Sequence, residues 1–219
     1  MVDTATVPGE GGELRLYRRG DEFSIKAGPW ELMNSRVHGS EDALAELACA
    51  RIAGRPRPRL LVGGLGMGYT LAAALGRLGP EAEVVVAELV PAVVAWNRGP
   101  LAALAGRPLE DRRVTLHEGD VGGLIRAGRE LYDAIVLDVD NGPEGLTRKE
   151  NDALYGAAGL TAALAALRPR GVLGVWSITP DRRFSERLRR AGFAVEEVRA
   201  RARGRQGGGR HMVWLAQRQ

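Results

Sequence analysis

The chain has 219 residues, 45% hydrophobic and 26% charged, with a formal net charge of +4, enough for one sizeable α/β core and a small appendage. It contains no apolar run of the ~18 residues that a membrane span needs, and Cys49 as its one cysteine excludes an internal disulfide framework and suits the cytoplasm. Only Lys26 and Lys149 are lysines among the 31 basic residues; with so much Ala and Gly this reads as the codon bias of a GC-rich genome, so the basic balance is discounted as a sign of nucleic acid.

Residues 1–12 lack a basic-plus-apolar signal pattern and read as a loose leader. In residues 13–27, Leu14 and Leu16, then Phe23 and Ile25, alternate with polar residues around an RGD turn, which predicts a hairpin. A short extended piece, WELMNSR, follows. Ser40 is placed as the N-cap of a helix to about residue 53, with Glu41 and Asp42 suited to its dipole. Cys49 falls on that helix as a buried residue rather than a nucleophile. Gly54 and the RPRPR segment end it.

Helix and strand then alternate. Strands are expected at 60–62, 83–87, 114–117, 134–137 and 172–176, with helices from Tyr69, near Pro91, from the Thr147–Glu150 capping box to about Leu167, and from about Asp181 to Gly192. Two last strands, at 194–198 and 211–216, form an antiparallel hairpin. The fold class is therefore α/β: a doubly wound, mostly parallel seven-stranded sheet of Rossmann-like type, with a small N-terminal β-hairpin. Residues 1–44 form the leader and hairpin segment and residues 45–219 the doubly wound domain. Trp30, Trp96, Trp176 and Trp214 are expected in the core or in pocket walls.

The most informative stretch is RLLVGGLGMGYTLAAAL, where an apolar strand runs into Gly63, Gly64, Gly66 and Gly68 and then a helix. Glycines there leave backbone amides and a helix N-terminus open to a ligand. The dinucleotide pattern G-x-G-x-x-G fails because Tyr69 holds its third position, and no Lys-Ser or Lys-Thr makes a P-loop. G-x-G-x-G suits S-adenosylmethionine (AdoMet), whose amino-acid tail and ribose the loop would wrap.

Acidic residues follow the strands where such a ligand needs them. Glu88, 20 residues after Gly68, can accept from both ribose hydroxyls, with Leu89 facing the adenine. Asp120, in HEGDV, can accept from the adenine amino group while the Val121 amide serves a ring nitrogen; a plain N-cap is its other reading. Asp138 and Asp140, after the fourth strand, can act as a general base or bind a cationic amine. Two residues apart on an extended chain they point to opposite faces, so one of them reaches the substrate; turn capping around Asn141-Gly142-Pro143 is the alternative. His38, in SRVHGSED, is the remaining acid–base candidate, weighed against a surface or capping role.

These residues resemble the spermidine synthase group of polyamine aminopropyltransferases, which share the class I methyltransferase fold. The glycine loop, Glu88, HEGD and YDAIVLDVDNGPEGL carry the resemblance, over about residues 13–180. It implies donor contacts from Gly63, Gly64, Gly66, Gly68, Glu88, Leu89, Asp120 and Val121, and chemistry at Asp138 or Asp140. The departures are specific. The family's GGGDGG loop is GGLGMG here, without the aspartate that holds the aminopropyl amine. Leu44 or a neighbour replaces a tyrosine in the first helix region, and a Thr-Tyr-Pro motif is missing near 200–210.

The reading is an AdoMet-dependent transferase moving a methyl group to a small-molecule amine or hydroxyl. Its alternative is aminopropyl transfer from decarboxylated S-adenosylmethionine to a diamine, with Glu41, Asp42, Asp138, Asp140 and Glu144 receiving the cation. A third reading, from a different class, is a catalytically silent module whose basic loop meets a partner. That loop carries Arg199, Arg201, Arg203, Arg205 and Arg210 and reads first as a solvated hairpin loop. The expected partner is a small-molecule substrate, with no membrane and no nucleic acid; the resemblance also allows a homodimer.

Overall fold

A computed structural model of the chain describes residues 1–9, 12–139, 151–204 and 207–219. The Thr147–Glu150 capping box and the Asn141-Gly142-Pro143 turn lie outside them. The N-terminus is a strand, not a loose leader. β1 (Asp3–Thr6) pairs antiparallel with β2 (Glu13–Arg19), and β3 (Glu22–Ala27) and β4 (Trp30–Asn34) complete a four-stranded sheet in sequence order. β1 has no apolar alternation to reveal it. It is held by the ladder with β2 and by the Trp96 indole, which donates to Asp3 at 2.7 Å. Leu14, Leu16, Phe23 and Ile25 bury one face of this sheet, as alternation requires. Trp30 belongs to neither core nor pocket wall; at 61% exposure it stands in solvent.

α1 (Gly39–Arg51) follows, with His38 rather than Ser40 at its capping position and no side-chain cap bond. Instead the Gly39 amide donates to the carbonyl of Ala202 at 2.8 Å. A Cβ at Gly39 would collide with the backbone of Gly204, so the helix begins by backbone contact with the far end of the chain. The division after residue 44 falls inside α1, which packs on both the next helix and the main sheet.

The main sheet comes from β5 (Arg59–Gly63), β6 (Glu83–Glu88), β7 (Val114–Glu118), β8 (Tyr132–Leu137), β9 (Leu167–Ser177), β10 (Phe193–Arg201) and β11 (Arg210–Arg218). Its crossovers carry α2 (Tyr69–Arg77), α3 (Pro91–Arg98), α4 (Val121–Ala127), α5 (Asn151–Tyr155), α6 (Ala157–Ala166) and α7 (Arg182–Arg190). The order is β7-β6-β5-β8-β9-β11-β10, with β7 through β9 mutually parallel and β11 antiparallel to both its neighbours. The order reverses between β5 and β8, the switch point at which ligands bind in such sheets. Arg199, Arg201 and Arg210 lie on the terminal hairpin's strands and are exposed, as is Arg203; Arg205 is outside the described residues.

Alternate side chains of the central strands feed two cores. Leu60, Val62, Ala134 and Val136 pack toward α1, α2 and the N-terminal sheet, whereas Leu61, Ile135 and Leu137 pack toward α4, α6 and α7. Among the described residues no helix is long and apolar enough to cross a membrane. Cys49 is buried and its thiol is pushed up to about 12 by that burial, which leaves it unreactive.

Beneath the sheet, at the strand N-termini, Asp133 is 2% exposed and accepts from Arg55 Nη1 at 2.6 Å, Arg168 Nη1 at 2.7 Å and the Arg59 amide at 2.7 Å. One carboxylate thereby ties β5, β8 and β9 together. Asp133→Ala leaves two guanidinium groups without their counter-charge and should cost about 3–5 kcal/mol in urea unfolding; a loss below about 1 kcal/mol would show that the cluster does not stabilise the fold.

Candidate functional site

Above the opposite end of the sheet, at the switch point, lies a cavity of about 380 Å³. Gly64, Gly66, Glu88, Leu89, Asp120, Val121 and Asp138 line it, so seven of the residues expected from sequence meet in one place. Its volume is in the range of small-molecule sites.

The glycines divide by role. Gly64 has φ +89°, and a Cβ there would run into the carbonyl of Asp138. At Gly66, φ +52°, the added atom would meet Met33 Cε at 2.7 Å. These two positions are glycine because the protein's own backbone and side chains come close, while their backbones face the cavity. Gly63 and Gly68 do not line it. The space beside Gly63 is taken by Leu137 and Val121, and Gly68, φ +85°, abuts Asn97 and Pro108 at the start of α2.

Glu88 ends β6 almost fully buried. Its Oε2 accepts from the Leu65 amide and its Oε1 from the Val90 amide, each at 2.9 Å. The carboxylate thus anchors the glycine loop and the start of α3, with the Gly66 and Leu89 amides also directed at it. Burial raises its pKa, against the backbone donors that lower it. Asp120 caps α4, accepting from the Gly122 amide at 2.9 Å, and also meets Arg126 Nη2 at 3.2 Å. Its N-cap reading holds, and the same residue lines the cavity. Arg126 lines the cavity as well; no motif marked it.

The N-terminal sheet and β4 close the cavity with Val7, Leu14, Ile25, Leu32 and Met33, and Leu154 of α5 contributes from the other side. Alternation in β2 and β3 identifies the buried faces, but not that they cover a site that begins at Gly64, 39 residues beyond Ile25.

Asp138 borders a second recess of about 10 Å³, the size of one water, walled also by Glu41, Met33, Tyr69 and Thr70. Thr70 Oγ1 donates to Asp138 Oδ2 at 2.6 Å. Burial raises the Asp138 pKa against that hydrogen bond, and it raises the Glu41 pKa too, with the charge of Asp138 adding to the rise. Two carboxyls bordering one poorly solvated recess resist being ionised together. Sequence alone marks Glu41 as a helix-dipole residue and a cation contact; the fold brings it to the same recess as Asp138. Asp140 and Glu144 lie outside the described residues.

His38 lines neither cavity. Its ring stacks on Tyr69 with centroids 3.9 Å apart, and Nδ1 lies 2.8 Å from Asp42 Oδ2, which raises its pKa. Tyr69, which displaced the third glycine of a dinucleotide loop, donates from its hydroxyl to the carbonyl of Ser35 at 3.2 Å. Leu44, the residue weighed against a family tyrosine, is fully buried in the core.

No protein family profile matches the chain, and no curated protein sequence matches it. Solved structures do. A spermidine synthase in complex with the transition-state analogue AdoDATO superposes with a TM-score of 0.77 at 15% identity, over 100% of this chain and 72% of that one. The spermidine synthase from Thermotoga maritima gives 0.78 at 15% identity with the same coverage. The O-methyltransferase TomG from Streptomyces achromogenes, bound to SAM, gives 0.54 at 21% identity over 81% of this chain and 79% of that one. The chain therefore has the class I methyltransferase fold, with a spermidine synthase-like N-terminal sheet.

The carboxyl pair has a consequence for stability. Unfolded Asp and Glu release their protons near pH 4, whereas Glu41 and Asp138 hold theirs to higher pH in the folded chain. The native state then binds more protons, and stability falls as pH rises from the unfolded pKa through the folded one. Glu41→Gln should raise Tm at pH 8 by roughly 2–4 °C and lose that advantage near pH 4. Equal Tm for wild type and variant across this range would show that the pair is not strained.

Proposed function

We propose that this chain is an AdoMet-dependent transferase that moves a methyl group to a small-molecule amine. The observation that carries this reading is the placement of Asp138, which borders both the cavity walled by Glu88, Leu89 and Asp120 and the recess shared with Glu41.

The residues present fit such a donor. Glu88 offers carboxylate oxygens at the end of β6, Leu89 and Val121 offer apolar walls, and Asp120 offers a second carboxylate. When bound, the donor supplies an electrophilic carbon on a sulfonium. Asp138 then holds the acceptor's N–H and takes its proton as the nitrogen's lone pair is committed to the new bond. A carboxyl with a raised pKa suits a base working near neutral pH. Alignment provides most of the rest, since fixing two reactants in line removes much of the entropic barrier.

The loop at Gly66 favours methyl over aminopropyl transfer. In GGLGMG, Gly66 stands at the place of the aspartate in GGGDGG, so no acid is there to hold an amine on the donor, and Met33 takes the space beside it. The Glu41–Asp138 pair supports the aminopropyl alternative to the extent that it would receive a diamine.

Calorimetric titration with AdoMet and with decarboxylated AdoMet tests the donor. Preferential binding of AdoMet, weakened at least about tenfold by Glu88→Gln, is expected. Preference for the decarboxylated donor would replace this reading with aminopropyl transfer, and binding of neither would refute both. With labelled AdoMet and a panel of small amines, Asp138→Asn should lower kcat by about 10²–10⁴-fold while the donor still binds; unchanged kcat would remove Asp138 from the chemistry.

A further inference from the structure

A hydrogen-bonded chain connects the carboxyl pair to the outer part of the sheet. Ser40, fully buried in the first turn of α1, donates from its hydroxyl to Glu41 Oε2 at 2.6 Å. The Ser40 hydroxyl oxygen also lies 2.8 Å from Nδ1 of His211 on β11. His211 is half-buried, and its ring meets Trp176 of β9 edge to face, with centroids 4.9 Å apart. The two partners are 171 residues apart from each other in sequence, brought together where α1 starts against the terminal hairpin.

A serine hydroxyl has one hydrogen, so the two bonds cannot be set independently. When Ser40 donates to an ionised Glu41, its oxygen must accept from His211, which fixes the Nδ1–H tautomer. When Glu41 carries a proton and donates it to Ser40, the hydroxyl hydrogen turns to His211, which must then present a bare Nδ1. Protonation of Glu41 is thereby tied to the tautomer of a histidine it does not touch.

We propose that Glu41, Ser40 and His211 form a proton relay that empties Asp138 after transfer; its task rests on the transferase reading above. The acceptor's N–H proton goes to a carboxylate oxygen of Asp138 and from there across the recess to Glu41. Glu41 gives it to Ser40 Oγ as the serine's own hydrogen passes to His211 Nδ1. The imidazolium so formed releases its Nε2 proton to solvent and is left as the Nδ1–H tautomer; the ring then takes a proton at Nε2 from solvent and gives up the one at Nδ1, and rotation of the hydroxyl toward the bare Nδ1 resets the chain. No proton is gained or lost overall, and Asp138 is again a base. Ser40 and His211 are positioning residues here, since neither lines the cavity.

The surroundings suit such a chain. Burial lowers the His211 pKa, which keeps the ring neutral between transfers. Asp138 from the end of β8, Asp42 and His38 from the start of α1, and Tyr69 from α2 are the titratable groups around Glu41. Around His211, Trp176 packs the ring from β9 and Ser40 from α1, with Ala200 opposite it on β10 and the exposed Arg210 and Arg201 beside it on the hairpin.

Long-range ¹⁵N NMR of the full chain reads the tautomer and titration of His211 directly, with no acceptor needed. In the wild type, its Nδ1 is expected to change from protonated to bare as pH falls and Glu41 takes a proton. Glu41→Gln should abolish that change and move the His211 midpoint by at least about 0.3 pH unit. In a Ser40→Ala background the same Glu41→Gln substitution should have no effect. A tautomer that ignores Glu41 would overturn the relay, and so would an undiminished effect of Glu41→Gln without Ser40, which would be a through-space field. Calorimetry on the wild type separates the two levels: absence of donor binding would overturn the relay's task along with the transferase reading, whereas donor binding with an uncoupled His211 would overturn the relay alone.

Discussion

The parallel ladder of the main sheet continues beyond the last strand residues, and the site depends on that continuation. The Gly64 amide donates to the carbonyl of Ala87, the Asp138 amide to that of Gly63, and the Gly119 amide to that of Glu88, at 2.8–2.9 Å. Four connections therefore leave the sheet in fixed register, and the side chains just past the strands have no choice but to converge. The arrangement requires glycine at 64, where φ is positive and the Asp138 carbonyl occupies the place of a Cβ.

Four carboxyls in the main domain show how burial of charge is divided between stability and chemistry. Asp133 is neutralised by two arginines and a backbone amide, and it stitches three strands. Glu88 is held by backbone amides of the glycine loop and the start of α3 without a cation, so it organises the loop. Asp138 and Glu41 receive a hydroxyl donor each, from Thr70 and Ser40, and face one another. Neutral donors compensate a buried charge less well than cations do, and at Glu41 the charge of Asp138 adds to the effect of burial.

The N-terminal sheet serves as a wall. Its buried face packs into the same core as β5 and α2, and part of that face lines the cavity. Its attachment is local and specific: the indole of Trp96 to Asp3, the Tyr69 hydroxyl to the Ser35 carbonyl, and Met33 filling the space beside Gly66. β1 was unreadable because four residues carry no period. Ser40 was misplaced as a cap because a serine before Glu-Asp is the local signature of one; the structure spends its hydroxyl on Glu41 and His211 and starts the helix on a backbone contact instead.

The sequence by itself determined the strand–helix alternation, the parallel sheet with its terminal antiparallel hairpin, and the positions of Gly64, Gly66, Glu88, Asp120 and Asp138. All of these follow from local rules: period, turn chemistry, and the rule that connections after parallel strands meet at one edge. Only the tertiary structure decided which glycines face the cavity, what covers it, and that Glu41 and Asp138, 97 residues apart, share a recess backed by Ser40 and His211. The physical reason is that periodicity and spacing report what a residue does to its own segment. A recess shared by two carboxyls, an apolar wall or a hydrogen bond between chain ends depends on distances that packing alone sets.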